Sequence, residues 1–218
     1  SYHEQDSLVI GAILSISHKE SIPNLSIRLS KALKETDLNK YHSAAFPVPQ
    51  YSLDDGWKMD KAFVYAIARQ ESLFNEAAKS NQGARGLLQI MPATAAYVTN
   101  DATLKKNKDL LYDPEYNLSI GQEYMKYLIE KEDKNPNLIR VLVSYNAGPG
   151  NHRKWESKII CYDDPLLYIE SLPSKETRNY VKNVMLNFWF YRSRFNQDTP
   201  SLANLAQDQW PIYHSLDD

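Results

Sequence analysis

Apolar positions along the chain recur mainly at three- and four-residue spacings, broken by short polar stretches, which is the pattern of helices and not of strands. Leu8 to Glu20 and Ile22 to Glu35 predict two helices separated at Ser21-Ile22-Pro23, a helix-start use of proline, and together they predict a hairpin. Ala45-Phe-Pro-Val-Pro-Gln-Tyr51 followed by Asp54-Asp55-Gly56 predicts an extended connection ending in a turn. The main boundary falls there. It divides a helical hairpin over 1–45 from a larger domain over 46–195, with a polar C-terminal tail over 196–218 that contains Pro200 and Pro211. Phe63, Ile67 and Glu71 follow at i, i+4 and i+8 on one helix face, with Asp60 placed to cap that helix. A loop from Asn75 to Gly86 precedes a short helix from Pro92 through Val98. Asn117 to Glu130, Leu138 to Tyr145, and a segment with Val181, Val184, Met185 and Phe188 complete the helical set. No fixed-period repeat occurs, and the predicted fold class is mainly α.

Composition sets bounds on that picture. With 218 residues, 43% hydrophobic and 24% charged, the chain can bury one sizeable core and a smaller appendage. A net charge of −2, with no basic stripe beyond short runs such as Lys105-Lys106, argues against nucleic acid as a partner. No apolar run reaches membrane length, so no integral membrane segment is expected. The single Cys161 excludes an internal disulfide. The start, Ser1-Tyr-His-Glu-Gln, has neither an initiator Met nor a signal peptide and reads as a processed or trimmed form. The five His residues lack metal-ligand spacing, and no nucleophile-elbow or phosphate-cradling loop occurs, so no metal and no cofactor is expected.

Candidate chemistry starts at Glu71. An acid that continues an apolar stripe is desolvated, which raises its pKa and makes it a proton donor near neutral pH; a helix-end Glu turned to solvent is the alternative. Four of the seven glycines, Gly83, Gly86, Gly148 and Gly150, fall in two segments beside polar and aromatic residues, a pattern suggesting backbone packed close to a ligand. Gln89, Tyr145 and Asn146 in those segments offer amide and hydroxyl groups suited to a neutral, polyhydroxylated substrate. Taken singly, each also fits a structural hydrogen-bonder or a core residue. Glu176 and Tyr180 add an acid and a phenol, and Glu176 equally fits a helix N-terminal carboxylate.

In this order the segments resemble the lytic transglycosylases of the soluble, lysozyme-like family. The resemblance covers roughly Asp60 to Tyr191 and rests on Glu-Ser-x-Phe at Glu71 to Phe74, Gly-Leu-x-Gln-Ile-Met-Pro at Gly86 to Pro92, Tyr-Asn-Ala-Gly at Tyr145 to Gly148, and Glu-Thr-Arg-x-Tyr-Val at Glu176 to Val181. It implies a lysozyme-like helical catalytic domain, preceded by a short helical hairpin similar to the end of a longer superhelix; the chain would then be a C-terminal piece. It implies Glu71 as the catalytic acid/base and Ser72, Gln89, Met91, Tyr145, Asn146, Glu176 and Tyr180 as substrate-binding residues. Peptidoglycan glycan strands would be the partner and the periplasm the location. The chain departs from the family at Asn75-Glu76, where Asn-Pro is usual, and at Leu88, where Met usually precedes the Gln.

Ordinary glycosidases need two carboxylates, and no second Asp or Glu falls within the motif cores around Gln89 or Tyr145, so one acid is expected to serve twice. The resemblance supplies the reaction: non-hydrolytic cleavage between N-acetylmuramic acid and N-acetylglucosamine, leaving a 1,6-anhydro end. A goose-type lysozyme-like hydrolase and a non-catalytic glycan-binding scaffold are the alternatives.

Overall fold

A computed structural model describes residues 2–20, 22–31, 42–132 and 135–215 of the chain. The helices are α1 (Tyr2–Lys19), α2 (Pro23–Ser30), α3 (His42–Ala45), α4 (Lys61–Ser72), α5 (Pro92–Val98), α6 (Pro114–Lys131), α7 (Leu138–Ala147), α8 (Pro149–Glu156), α9 (Pro165–Ser171), α10 (Lys175–Arg194) and α11 (Pro200–Leu205). Two short 3₁₀ turns, Ala102–Lys105 and Lys108–Tyr112, join α5 to α6. Among the described residues β-pairing is limited to isolated bridges of Arg85 with Lys79 and Ile90, and of Asn137 with Ile212. The class is mainly α, as the periodicity predicts.

Proline marks where helices begin. Pro23, Pro92, Pro114, Pro149, Pro165 and Pro200 each occupy the first helical positions, where a missing N–H costs nothing. That signal corrects the expected start of α6: the helix opens at Pro114, not Asn117, with Asp113 as its cap accepting from the Tyr116 amide at 2.7 Å. It also accounts for α8, α9 and α11, which are too short for apolar periodicity to reveal. The second expected helix ends at Ser30, and its continuation from 32 to 35 lies outside the described residues.

The core is built around α4. Every residue from Ala62 to Ala68 is buried, so over this stretch the helix is apolar on all sides and not a one-faced stripe. α10 runs along it, with Phe63 and Phe188 edge to face at 5.3 Å. Asn187 joins the pair by accepting from the Arg69 guanidinium at 3.0 Å. At the start of α4, Asp60 accepts from the Ala62 amide at 2.8 Å, as a cap should, and its other oxygen accepts from Arg192 at 2.6 and 3.0 Å. Both side chains are fully buried.

The stretch from 196 onward, expected as a polar tail, folds back onto this core as far as residue 215. Tyr213 is buried against Phe63, and its hydroxyl accepts from the Asp60 amide at 3.1 Å. The Arg192 guanidinium donates to the carbonyls of Asp198 and His214. Long-range polar contacts and the packing of Leu205, Trp210 and Tyr213 on the core together hold the segment.

Candidate active site

Glu71 lies in the last turn of α4, where the buried helix reaches a cavity of about 520 Å³. The helix stops at once. Leu73 and Phe74 both take left-handed backbone conformations, with φ of 52° and 60°. Such conformations are costly for residues with a Cβ and persist only where surroundings impose them. Here Phe74 is buried edge-on against Tyr65 at 5.6 Å, and the Leu73 carbonyl accepts from the Asn24 side chain at 3.2 Å. Glu71 lines the cavity from the helix, and past the reversal the chain departs into the 75–86 loop.

One wall is the segment from Gly86 to Met91, held from beneath by Asn117. That fully buried amide accepts from the Leu88 N–H at 2.8 Å and donates to the carbonyls of Arg85 and Leu111 at 2.9 and 2.8 Å. Gly86 has φ of +74°, and a Cβ there would lie 2.2 Å from the Leu111 carbonyl oxygen. The close approach expected of these glycines thus occurs at Gly86 against the protein's own backbone, while Gly148 and Gly150 have open space around them. Gln89, at φ 48°, donates through Nε2 to the carbonyls of Ala78 and Gly86 at 3.1 and 2.8 Å. Its Oε1 is left as an acceptor on the cavity side.

The opposite wall is the end of α7. Ser144 bonds to Nδ1 of His152 at 2.7 Å, and Nε2 of that ring bonds to the Tyr168 hydroxyl at 3.0 Å, tying α7, α8 and α9 together behind the Tyr-Asn-Ala-Gly turn. Asn146 accepts from the Thr177 hydroxyl at 2.8 Å, so its Nδ2 is available to donate into the cavity. Gln89 and Asn146 therefore present an acceptor and a donor, both uncharged.

The electrostatics single out Glu71. Burial pushes its carboxyl up from 4.5 to about 7; the Tyr180 phenol favours the ionised form, and the Glu176 carboxylate opposes it. Tyr180 is buried beside the acid, yet its hydroxyl completes no hydrogen bond of ordinary geometry. What it offers the ionised acid is a phenol O–H donor beside the carboxylate. Glu176 stands in the first turn of α10, exposed, and also lines the cavity, so both readings of it apply.

Of the residues singled out in the sequence, Glu71, Gln89, Met91, Tyr145, Asn146 and Glu176 line the cavity together, and Tyr180 meets Glu71 from the protein side. Ser72 is the exception. Its hydroxyl donates back to the Ala68 carbonyl at 3.1 Å and it does not line the cavity, because one residue past Glu71 on a helix points about 100° away. The Tyr145 hydroxyl donates to the Leu88 carbonyl at 2.9 Å, so besides lining the cavity it braces the far wall. Replacing Tyr145 by Phe is expected to cost about 0.5–1.5 kcal/mol of stability and to raise KM more than it lowers kcat. Calorimetry and steady-state kinetics check this; an unchanged KM with lowered stability would return Tyr145 to a packing role. Ser80, Gln82, Thr94 and Tyr124 also line the cavity and were not singled out. Thr94 and Tyr124 could be reached only by knowing how α5 and α6 pack. Among the described residues no three His, Cys, Asp or Glu side chains converge as a metal site would require.

Comparison with known proteins gives the family. Residues 52–159 match the family model described as the transglycosylase SLT domain. The soluble lytic murein transglycosylase of Escherichia coli (strain K12) is 38% identical over 154 residues, covering 70% of this chain and 23% of that protein. The chain thus spans about a quarter of the length of such relatives. Membrane-bound lytic murein transglycosylase E of Buchnera aphidicola is 33% identical over 135 residues, covering 59% of this chain and 58% of its own. Among solved structures, the 70 kDa soluble lytic transglycosylase from Escherichia coli superposes with a TM-score of 0.69 at 30% identity, covering 84% of this chain and 30% of that one. An inactive glutamate-to-glutamine mutant of the lytic transglycosylase Slt from Pseudomonas aeruginosa superposes with a TM-score of 0.70 at 28% identity, covering 86% and 30%. By its matched domain, its lysozyme-like helical fold and the motifs that line its cavity, this chain belongs to the SLT transglycosylase family.

Proposed function

We propose that the cavity binds a peptidoglycan glycan strand in the periplasm and that Glu71 cleaves the bond between N-acetylmuramic acid and N-acetylglucosamine without consuming water. The observation that carries this reading is an acid held near neutral pKa at the end of a buried helix, facing walls on which Gln89 and Asn146 present uncharged hydrogen-bonding groups. Protonated Glu71 gives its proton to the bridging oxygen as the C1–O bond breaks. The substrate's own acetamido oxygen stabilises the cationic C1. Glu71, now ionised, takes the proton of the muramyl 6-hydroxyl, and O6 closes on C1 to form the 1,6-anhydro ring. Gln89 as acceptor and Asn146 as donor orient the sugar, and the Tyr180 phenol steadies the carboxylate between the two proton transfers.

The pH dependence follows with a definite sign. Because the acid must start protonated, kcat/KM is expected to fall as pH rises through about 7. A flat profile from about pH 4 to 8, for a step shown to be chemical, would remove the buried-acid argument.

One observation favours a hydrolase instead. Glu176, from the fourth motif and outside the motif cores around Gln89 and Tyr145, brings a second carboxylate to the cavity, and it could assist an incoming water. Product identity separates the two. A well-oriented 6-hydroxyl has an effective concentration of up to about 10⁵–10⁸ M, far above water at tens of molar. Muropeptides ending in 1,6-anhydro-N-acetylmuramic acid, with no oxygen gained from isotopically labelled water, are expected by mass spectrometry. A dominant reducing, labelled muramyl end would identify a hydrolase.

A further inference from the structure

Four consecutive residues at the end of α7, Tyr145 to Gly148, line the cavity, and their placement depends on how the chain reverses into α8. Close packing does not set that reversal. Gly148 turns at φ +82°, and a Cβ added to it or to Gly150 would meet nothing within 4 Å. His152 is the one buried residue of α8, while Trp155 packs half-buried on the core. The tie from α8 back to α7 is therefore largely polar. The Asn151 side chain donates to the Ala147 carbonyl at 2.9 Å, and Ser144 meets Nδ1 of His152 at 2.7 Å.

The direction of that second bond follows from the groups around the ring. Burial holds His152 below its usual pKa, so the imidazole is neutral, with one nitrogen donating and the other accepting. The Glu156 carboxylate lies 3.9 Å from Nε2, its other oxygen 3.0 Å from the Arg140 guanidinium, and it favours the ring proton on Nε2. Nε2–H then faces the Tyr168 hydroxyl at 3.0 Å, and Nδ1 accepts from Ser144. Ser144 stands two residues before Asn146. Neither Ser144 nor His152 lines the cavity, and both are more than nine-tenths buried, so releasing the bond would strand a polar atom out of reach of water. Thr177 fixes the Asn146 amide from α10; the Ser144–His152 bond fixes the backbone that carries it.

We propose that His152 is a positioning residue for the binding wall: by accepting from Ser144 it holds the Tyr-Asn-Ala-Gly turn in the shape that receives the strand. This rests on the reading of the cavity as a glycan site. The role is exerted on affinity, through backbone, by a side chain that touches no substrate.

The test measures binding of purified glycan strands by titration calorimetry in the Glu71→Gln protein, well below the melting temperature of every variant. Ser144→Ala, which keeps a good helix former in α7, and His152→Phe are each expected to weaken affinity about fivefold, and the double variant no more than the weaker-binding single one. His152→Asn keeps an acceptor at the position of Nδ1 and gives up the contact with Tyr168. It should restore affinity while leaving the melting temperature lowered, a separation that a merely structural role would not produce. Unchanged affinity in Ser144→Ala, losses that multiply in the double variant, or an Asn variant that is folded yet binds no better than Phe overturns the proposal. Absence of turnover by the wild-type chain on the same strands would instead count against the function proposed for Glu71.

Discussion

Replacing Glu71 by Gln is expected to lower turnover by at least a hundredfold while leaving a folded protein that gains stability over wild type as pH rises. The amide keeps the shape of the side chain but can neither donate nor retrieve the proton, and general acid–base assistance is worth about 10²–10⁴-fold. The stability effect has its own sign. Glu71 titrates at about 7 in the folded chain against 4.5 for the free group, so the folded state is favoured below 4.5 and that advantage is lost as pH rises through 7. Gln does not ionise and escapes the loss. Melting temperatures at about pH 5 and 8, measured beside activity on purified glycan, check both parts. Residual activity above about a hundredth of wild type would remove Glu71 from the chemistry. A stability difference that does not widen with pH would show that the carboxyl is not desolvated.

Arg192→Leu is expected to be among the most destabilising single changes in the molecule, at about 3–5 kcal/mol, because it leaves the Asp60 carboxylate buried without the guanidinium that balances it. That is a large share of the 5–15 kcal/mol by which a domain of this kind is stable. The residue also donates to the Asp198 and His214 carbonyls, so the C-terminal segment should loosen with it. Arg192→Lys should recover only part, since a point-like ammonium cannot reproduce the forked contacts at 2.6 and 3.0 Å. Denaturant unfolding reads the loss, and a value below about 1 kcal/mol would contradict the burial argument. Asp60 stands at the far end of α4 from Glu71, roughly 16 Å along the helix at 1.5 Å per residue, so the folded fraction should keep its specific activity. The pair of mutants thus separates chemistry at one end of α4 from stability at the other.

Local information in the chain was enough for most of the helices. Period and proline position mark α4, α5, α7 and α10, and a proline-first reading extends to α6, α8, α9 and α11, because N1 preference is a property of one residue and its immediate backbone. The same holds for the candidate acid, since a Glu at i+8 from Phe63 announces itself without any knowledge of packing. The groups around it were legible as motifs but not as contacts. Tyr145 reads in the sequence as a substrate-binding or core residue, and only the fold shows that its proton goes to the Leu88 carbonyl, 57 positions away. Ser72 belongs to the strongest motif and turns out to serve its own helix. Glu176 changes the count of carboxylates in the cavity only once α10 lies beside α4. The stretch after 196 packs because Tyr213 enters the core beside Phe63 and because Arg192 and Asp60 reach it from the core. For Tyr145 and for the C-terminal stretch what decides is a contact between residues distant in sequence, whose value depends on burial that the whole fold supplies. Sequence by itself determined the helices and placed an acid at the end of one. Tertiary structure decided which groups face that acid, because desolvation and hydrogen-bond geometry exist only after the helices have packed.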